Sequence, residues 1–158
     1  MQKTNVMRIL EQRKVPYTAH SYPRGETPAD GITVAALIGK DTSQVYKTLV
    51  ARGASRSCYV FVIPVTKELD LKKAASAAGE KSIAMLHLSE LTPTTGYVRG
   101  GCSPVGMKKQ FPTFIDSSAQ ALESMLVSAG RIGFQIELSP YDLKALVSAV
   151  FSDLCVEE

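Results

Sequence analysis

The run from Tyr97 to Lys109, Tyr-Val-Arg-Gly-Gly-Cys-Ser-Pro-Val-Gly-Met-Lys-Lys, gathers three of the chain's eleven glycines, one proline and three cations, with no acid among them. Paired glycines let a backbone turn through positive φ and leave no Cβ to hold a ligand away. Such a loop either turns the chain between two strands or aims several N–H groups at a carbonyl oxygen or phosphate, with Arg99, Lys108 and Lys109 favouring negative charge. No nucleotide-binding fingerprint can be written onto it, neither G-x-G-x-x-G nor G-x-x-x-x-G-K-[ST]. Cys102 within it invites a cysteine-nucleophile reading with His20 or His87 as base, set against the commoner small buried thiol. Lys47, in Val45-Tyr46-Lys47-Thr48-Leu49, has apolar, aromatic or β-branched neighbours. It either snorkels to water or points one compact cation into a pocket, onto a phosphate or ester oxygen. Tyr22 has the same pair of readings, core aromatic or pocket wall. Lys108-Lys109 is either a solvated face or, beside a pocket, an attractor for a polyanion such as RNA.

Absences narrow the chemistry. Two histidines with no C-x-x-C or H-x-x-x-H spacing leave few ligands for a tetrahedral zinc site, and no metal or cofactor is expected. Without G-x-S-x-G there is no nucleophile elbow. The net charge of +3 is low for a dedicated duplex-DNA binder, so nucleic-acid contact is expected to be local. Three cysteines, an odd number, argue against a secreted disulfide framework. No apolar run approaches the roughly 18 residues of a membrane span, and the N-terminal residues do not read as a signal sequence. The expectation is a reduced, cytoplasmic protein of one domain, residues 1–158, with no membrane partner.

The elements that must position these residues follow from periodicity and punctuation. Thr4 to Lys14 reads as an amphipathic helix ended by Pro16, Tyr17 to Tyr22 as a strand, and Pro23 to Gly31 as a loop. Thr33 to Ile38 is a short helix closed by Gly39. Gln44 to Ala51 and Cys58 to Val65 form a hairpin about Gly53-Ala54-Ser55. A helix capped by Asp70 ends at Gly79, and Ile83 to Leu86 is a strand. A brief helical turn at Ser89 to Leu91 is stopped by Pro93. Beyond the glycine loop come a strand at Thr113 to Asp116, a short helix at Ser118 to Leu122, and a hairpin of Ser124 to Ser128 with Gly133 to Leu138. A final helix capped by Ser139-Pro140 carries a stripe of Leu143, Leu146, Val147 and Val150. Hairpins interrupted by helices imply an α/β protein of α+β type, with a mixed, largely antiparallel sheet and helices packed on it.

Taken in order, His20-Ser21-Tyr22, Gln44-Val45-Tyr46-Lys47-Thr48-Leu49, Leu69-Asp70-Leu71-Lys72-Lys73, the run from Gly96 to Lys109, and Ile136-Glu137-Leu138 resemble the YbaK/EbsC-type aminoacyl-tRNA deacylases. That family is related to the insertion editing domain of bacterial prolyl-tRNA synthetases. The combination Q-V-Y-K-T-L with G-G-x-S-P-x-G is specific, and the resemblance spans nearly the whole chain. It implies a trans-editing enzyme that accepts the 3′ end of mischarged tRNA(Pro) and removes cysteine, in company with prolyl-tRNA synthetase. Cysteine and proline are too close in size for one apolar pocket to separate well.

The resemblance makes Lys47 the essential lysine, orienting the terminal adenosine and its phosphate or ester region. It brings Gly100 and Gly101 close to the scissile carbonyl, and places Tyr22, Thr48 and Ser128 in the same pocket. Gln135 stands where the family often has Asp, keeping hydrogen-bonding capacity without the carboxylate. Arg99, Lys108 and Lys109 would meet the tRNA. In this branch the substrate's own thiol is thought to attack its ester carbonyl, releasing a cyclic thiolactone, which needs orientation and carbonyl stabilisation but no protein nucleophile. Cys102 is then expected to be dispensable. The alternatives are a deacylase of Ala- or Ser-charged tRNA using a bound water, and a non-catalytic module binding RNA ends or nucleotides.

Overall fold

The computed structural model describes residues 2–25 and 29–157. The middle of the expected Pro23–Gly31 loop, residues 26–28, lies outside the described residues. Helix α1 (Asn5–Gln12) is capped by Thr4, whose hydroxyl accepts from Met7 N, and buries Val6, Met7 and Leu10. Strand β1 (Thr18–Ser21) follows, then α2 (Gly31–Ile38), capped by Asp30 and closed by Gly39 at φ +71°. A 3-10 turn at Thr42–Gln44 replaces the expected start of the next strand, because the Asp41 carboxylate accepts from Ser43 N and bends the chain there.

Strands β2 (Tyr46–Gly53) and β3 (Cys58–Pro64) form the expected hairpin, in register Lys47 to Ile63 and Val50 to Val60. Helix α3 (Leu71–Ala78) sits between Asp70 and Gly79 as its caps predict, and β4 (Ile83–Met85) pairs with the end of β2. Next come α4 (Leu88–Thr95), the glycine loop, β5 (Thr113–Asp116), a 3-10 turn at Ser117–Ala121, and the hairpin β6 (Met125–Ser128) with β7 (Phe134–Leu138). Helix α5 (Pro140–Val147) and strand β8 (Val150–Ser152) close the chain.

The strands form two sheets, ordered β1-β7-β6 and β4-β2-β3-β5-β8. Four of the strand pairs are antiparallel, and two, β3 with β5 and β5 with β8, are parallel. This is the mixed, largely antiparallel α/β architecture that the element order implies. The apolar run Val60-Phe61-Val62-Ile63 is completely buried because β3 is covered on both faces. Val60 and Val62 join the main core with α1, β6, β7 and α5, whereas Phe61 and Ile63 pack beneath α3 with Ala74, Ala75 and Leu154. A small third cluster of Ala35, Val45 and Leu126 lies where the sheets meet. One parallel bridge, Val45 to Leu126, joins them there.

Three local expectations are corrected. Helix α4 runs through Pro93 and stops at Gly96 (φ +88°); the Thr95 hydroxyl donates to Leu91 O at 2.8 Å and reinforces the turn that the proline weakens. Helix α1 ends before Pro16, on left-handed Lys14 (φ +58°). Helix α5 ends on Ser148 (φ +53°), so Val150 leaves the expected helical stripe and stands in β8, half exposed.

Candidate functional site

A cavity of about 120 Å³ opens at the seam between the two sheets. Tyr22, just past β1, Ser128 at the end of β6 and Gln135 in β7 reach it from the smaller sheet, where Gln135 lies opposite both His20 and Ser128. Tyr46, Lys47 and Thr48 reach it from the start of β2. Gly100 and Cys102 of the glycine loop complete it. Among the expected site residues, Tyr22, Lys47, Thr48, Gly100, Ser128 and Gln135 therefore share one hollow.

Three of them hold unused polar capacity. The Lys47 side chain has no hydrogen-bond or ion-pair partner among the described residues. The Thr48 hydroxyl and the Gln135 side-chain oxygen are buried with no hydrogen-bond partner. Leaving a buried acceptor or donor unpaired costs about 1–3 kcal/mol, so these two oxygens, on residues that line the cavity, mark where an incoming molecule would be bonded. Ser128 differs: its Oγ accepts from Gly130 N at 3.2 Å and holds the β6–β7 turn.

The glycine loop is a built structure. The Tyr97 hydroxyl donates to Val105 O, Tyr97 N to the Thr95 hydroxyl at 3.0 Å, and Val105 N to Ser103 Oγ at 3.2 Å. Its two neighbouring glycines do different work. Gly100, at φ +85°, lines the cavity, and the N–H groups of Gly100 and Cys102 donate to no protein acceptor among the described residues. Gly101 does not line the cavity, and its N–H is taken by Val98 O at 3.0 Å. A Cβ on Gly101 would stand 3.2 Å from Ile132 N, so its lack of a side chain serves close packing of two loops. This differs from the expectation that both glycines approach a scissile carbonyl.

The three cations expected at tRNA separate. Arg99 lines an adjoining hollow, which shares Thr48, Gly100 and Cys102 with the cavity. Lys108 donates to Pro93 O at 3.3 Å, and Lys109 lies over the Phe111 ring, 5.8 Å from its centroid, in a hollow beside Cys58 and Tyr59. Neither lysine lines the cavity or the hollow beside it.

Cys102 is part of the cavity wall, but burial pushes its thiol up to about 12, outweighing a hydrogen bond with Thr95 that acts the other way. His20 is bonded to Glu137 at 2.8 Å and does not line the cavity. A neutral thiol without a bonded base is a poor nucleophile. Glu137 also accepts from Lys40 at 3.3 Å and Ser124 at 2.6 Å. Burial raises its pKa, yet the bonds from Ser124, His20 and Lys40 together hold the carboxyl below its ordinary value. This cluster ties the chain after α2 to β1 and β7, and so steadies the wall that α2 contributes. No group of three or more His, Cys, Asp or Glu side chains is gathered as a metal site among the described residues. No helix among them is long and apolar enough to cross a membrane.

Sequence reasoning did not single out the apolar half of the wall: Gly31, Val34, Val45, Val65 and the ring of Tyr46. A Cβ on Gly31 would fall 2.1 Å from Val65 Cγ1, so the helix can approach β3 only with glycine there. The available signal was the glycine directly after a capping Asp30.

The fold is a small α/β domain with a cavity at the seam of its two sheets, lined by Lys47, Thr48 and Gln135. The chain belongs to the aminoacyl-tRNA editing domain family, whose model matches residues 28–146. Members of this class are enzymes acting on the aminoacyl ester. Among its relatives is EbsC of Enterococcus faecalis, named as a Cys-tRNA(Pro)/Cys-tRNA(Cys) deacylase, which is 46% identical over 157 residues, 99% of this chain and 96% of that protein. YwhH of Bacillus subtilis is 29% identical over 122 residues, 77% of each chain. A crystal structure described as a trans-editing enzyme for prolyl-tRNA synthetase superposes with a TM-score of 0.83, covering 99% of this chain and 100% of that one; at 24% identity the likeness is one of fold.

Proposed function

We propose that this protein is a trans-editing deacylase that releases cysteine from mischarged Cys-tRNA(Pro). The observation that carries the proposal is one cavity of about 120 Å³ lined by Lys47, whose side chain has no partner among the described residues, and by Thr48 and Gln135, each with an unpartnered buried oxygen. A space of that size takes several waters and suits the side chain, ammonium and carbonyl of a small amino acid. The name of the Enterococcus faecalis relative supports cysteine as the group removed.

In this scheme the substrate thiol attacks its own ester carbonyl. A C–S bond forms, the C–O bond to the ribose breaks, the thiol proton passes to the ribose oxygen, and a cyclic thiolactone leaves. The protein supplies geometry and charge. The N–H groups of Gly100 and Cys102 meet the oxyanion, Lys47 orients the ribose and phosphate region, and Gln135 accepts from the substrate ammonium. Thr48 binds beside Lys47, and Tyr22 and Ser128 bound the acyl group.

The test is deacylation of Cys-, Ala- and Ser-tRNA(Pro), with and without prolyl-tRNA synthetase. Cys-tRNA(Pro) is expected to be cleaved fastest, with thiolactone as first product and the synthetase raising selectivity for tRNA(Pro). Equal cleavage of the Ala and Ser substrates, which lack a thiol, would replace self-attack with attack by water.

A further inference from the structure

The end of β2 that reaches the cavity has fewer backbone restraints than the rest of the strand. Strand β3 holds one edge of it, in register Tyr46 to Pro64, Lys47 to Ile63 and Thr48 to Val62. On the other edge β4 pairs with Ala51, Arg52 and Gly53, and the bridge from Val45 to Leu126 touches the chain just before the strand. Tyr46, Lys47 and Thr48 lie between those two attachments. A side chain supplies a further one. Tyr46 is 3% exposed, lines the cavity, and is hydrogen-bonded through its hydroxyl to the Ser118 hydroxyl at 2.7 Å. Ser118 does not line the cavity. It stands in the 3-10 turn at Ser117–Ala121, directly after buried Asp116, whose carboxylate accepts from Ser118 N at 3.2 Å and from Leu154 N at 3.0 Å. The hydroxyl that meets Tyr46 is therefore carried by a turn fixed both to β5 and to the chain after β8.

We propose that Ser118 is a positioning residue for the reaction in the cavity: its hydroxyl fixes Tyr46, and through Tyr46 the stretch of β2 that presents Lys47 and Thr48. The inference rests on the cavity being the aminoacyl-ester site. Tyr46 and Thr48, two residues apart, share a face of the strand with Lys47 between them, so a shift of Tyr46 carries both. A phenol buried this deeply needs a polar partner, and any hydroxyl would satisfy it. Ser118 does more because it belongs to a turn outside the β2–β3 hairpin, so the bond ties the thinly held stretch to a separate part of the fold. Small displacements of a positioned group are costly in rate even where they cost little stability.

The experiment is a double-mutant cycle on the full chain with Ser118→Ala, Tyr46→Phe and the two combined, and Ser118→Thr as the conservative variant. Ser118 is exposed, and the alanine variant keeps the backbone bond to Asp116. Steady-state cleavage of Cys-tRNA(Pro) is read well below the Tm of every variant, where all are folded and a merely structural bond would leave kcat unmoved. Each single variant is expected to lose about three- to tenfold in kcat, with KM within about twofold of the parent. The combined variant should be no worse than the poorer single one, and Ser118→Thr should match the parent. Amide hydrogen exchange, which needs no substrate, should run about three- to tenfold faster along Tyr46–Leu49 in Ser118→Ala and be unchanged in α3 and β7. A parent-like kcat in Ser118→Ala, additive losses in the cycle, no rescue by threonine, or unchanged exchange along Tyr46–Leu49 would overturn the inference. The two proposals fail separately. A parent that cleaves no aminoacyl-tRNA loses the deacylase assignment, and exchange alone then decides whether Ser118 holds the strand. A parent that cleaves Cys-tRNA(Pro) as fast with alanine at Ser118 loses the positioning role alone.

Discussion

Replacing Lys47 by Met keeps the four-atom stem and removes only the ammonium. Since that ammonium has no partner among the described residues, no ion pair is broken and no buried charge is stranded. The stem can still lie along β2 opposite Ile63. The stability change should stay within about 0.5 kcal/mol, as for substitutions away from networks, or about 1–2 °C in Tm for a chain of this length. The activity change has a different scale. A hydrogen bond to a charged group contributes about 1.5–3 kcal/mol, and each 1.36 kcal/mol is tenfold in rate, so kcat/KM for Cys-tRNA(Pro) should fall roughly 10- to 150-fold. Lys47→Arg should not restore it, because a planar guanidinium does not substitute for a compact cation in a cavity of about 120 Å³. The pair of readings is deacylation under single-turnover conditions and thermal unfolding by circular dichroism. A Met variant within threefold of the parent would refute the assignment of Lys47. So would a lost activity accompanied by a Tm fall beyond about 5 °C, which is more than 1 kcal/mol at this chain length.

Thr48→Val removes a buried hydroxyl with no partner and should raise stability by up to about 1 kcal/mol while lowering deacylation; a variant that is both less stable and fully active would contradict the role given to that hydroxyl. Cys102→Ala should keep deacylation within threefold, and the native thiol, raised to about 12, should react slowly with iodoacetamide at pH 8; loss of activity in a folded Ala variant would make the thiol a participant. Glu137 has its folded pKa held below the ordinary 4.5, so its contribution is complete above that value and disappears as pH falls through the folded pKa. Urea unfolding should therefore show Glu137→Gln less stable by about 1–3 kcal/mol at pH 7 and equal to the parent at strongly acid pH. A difference independent of pH would show that the carboxylate is not what the cluster stabilises.

Local signals were legible wherever one residue type decides the backbone. Asp70 and Gly79 bracket α3, Gly39 closes α2, and the β-branched and aromatic run from Cys58 names a strand. They failed where an unusual residue takes the special conformation. Lys14 and Ser148 end helices in the left-handed region without glycine, so no residue type signals the end of α1 or separates β8 from α5. Lys47, Thr48, Gly100 and Gln135 could be named from motifs, but their meeting depends on strand register between separate hairpins, which no local pattern encodes. Adjacent Gly100 and Gly101 look equivalent in the chain, and only the position of Ile132 separates the one that lines the cavity from the one that packs. Charge beside a motif likewise does not encode distance: Lys108 and Lys109 follow the glycine loop in the chain yet line neither the cavity nor the hollow beside it.

The Val45–Leu126 bridge has an evolutionary consequence. The cavity is framed by two sheets that meet through that bridge and the side chains of Ala35, Val45 and Leu126. Each sheet keeps its own hydrogen-bond ladder, so a change of one methyl group among those three residues can alter the gap between them without disturbing either ladder. Descendants of such a fold can thus drift in the size of group the cavity admits while its polar residues stay as they are, and the joint diversifies before the cavity's polar wall does.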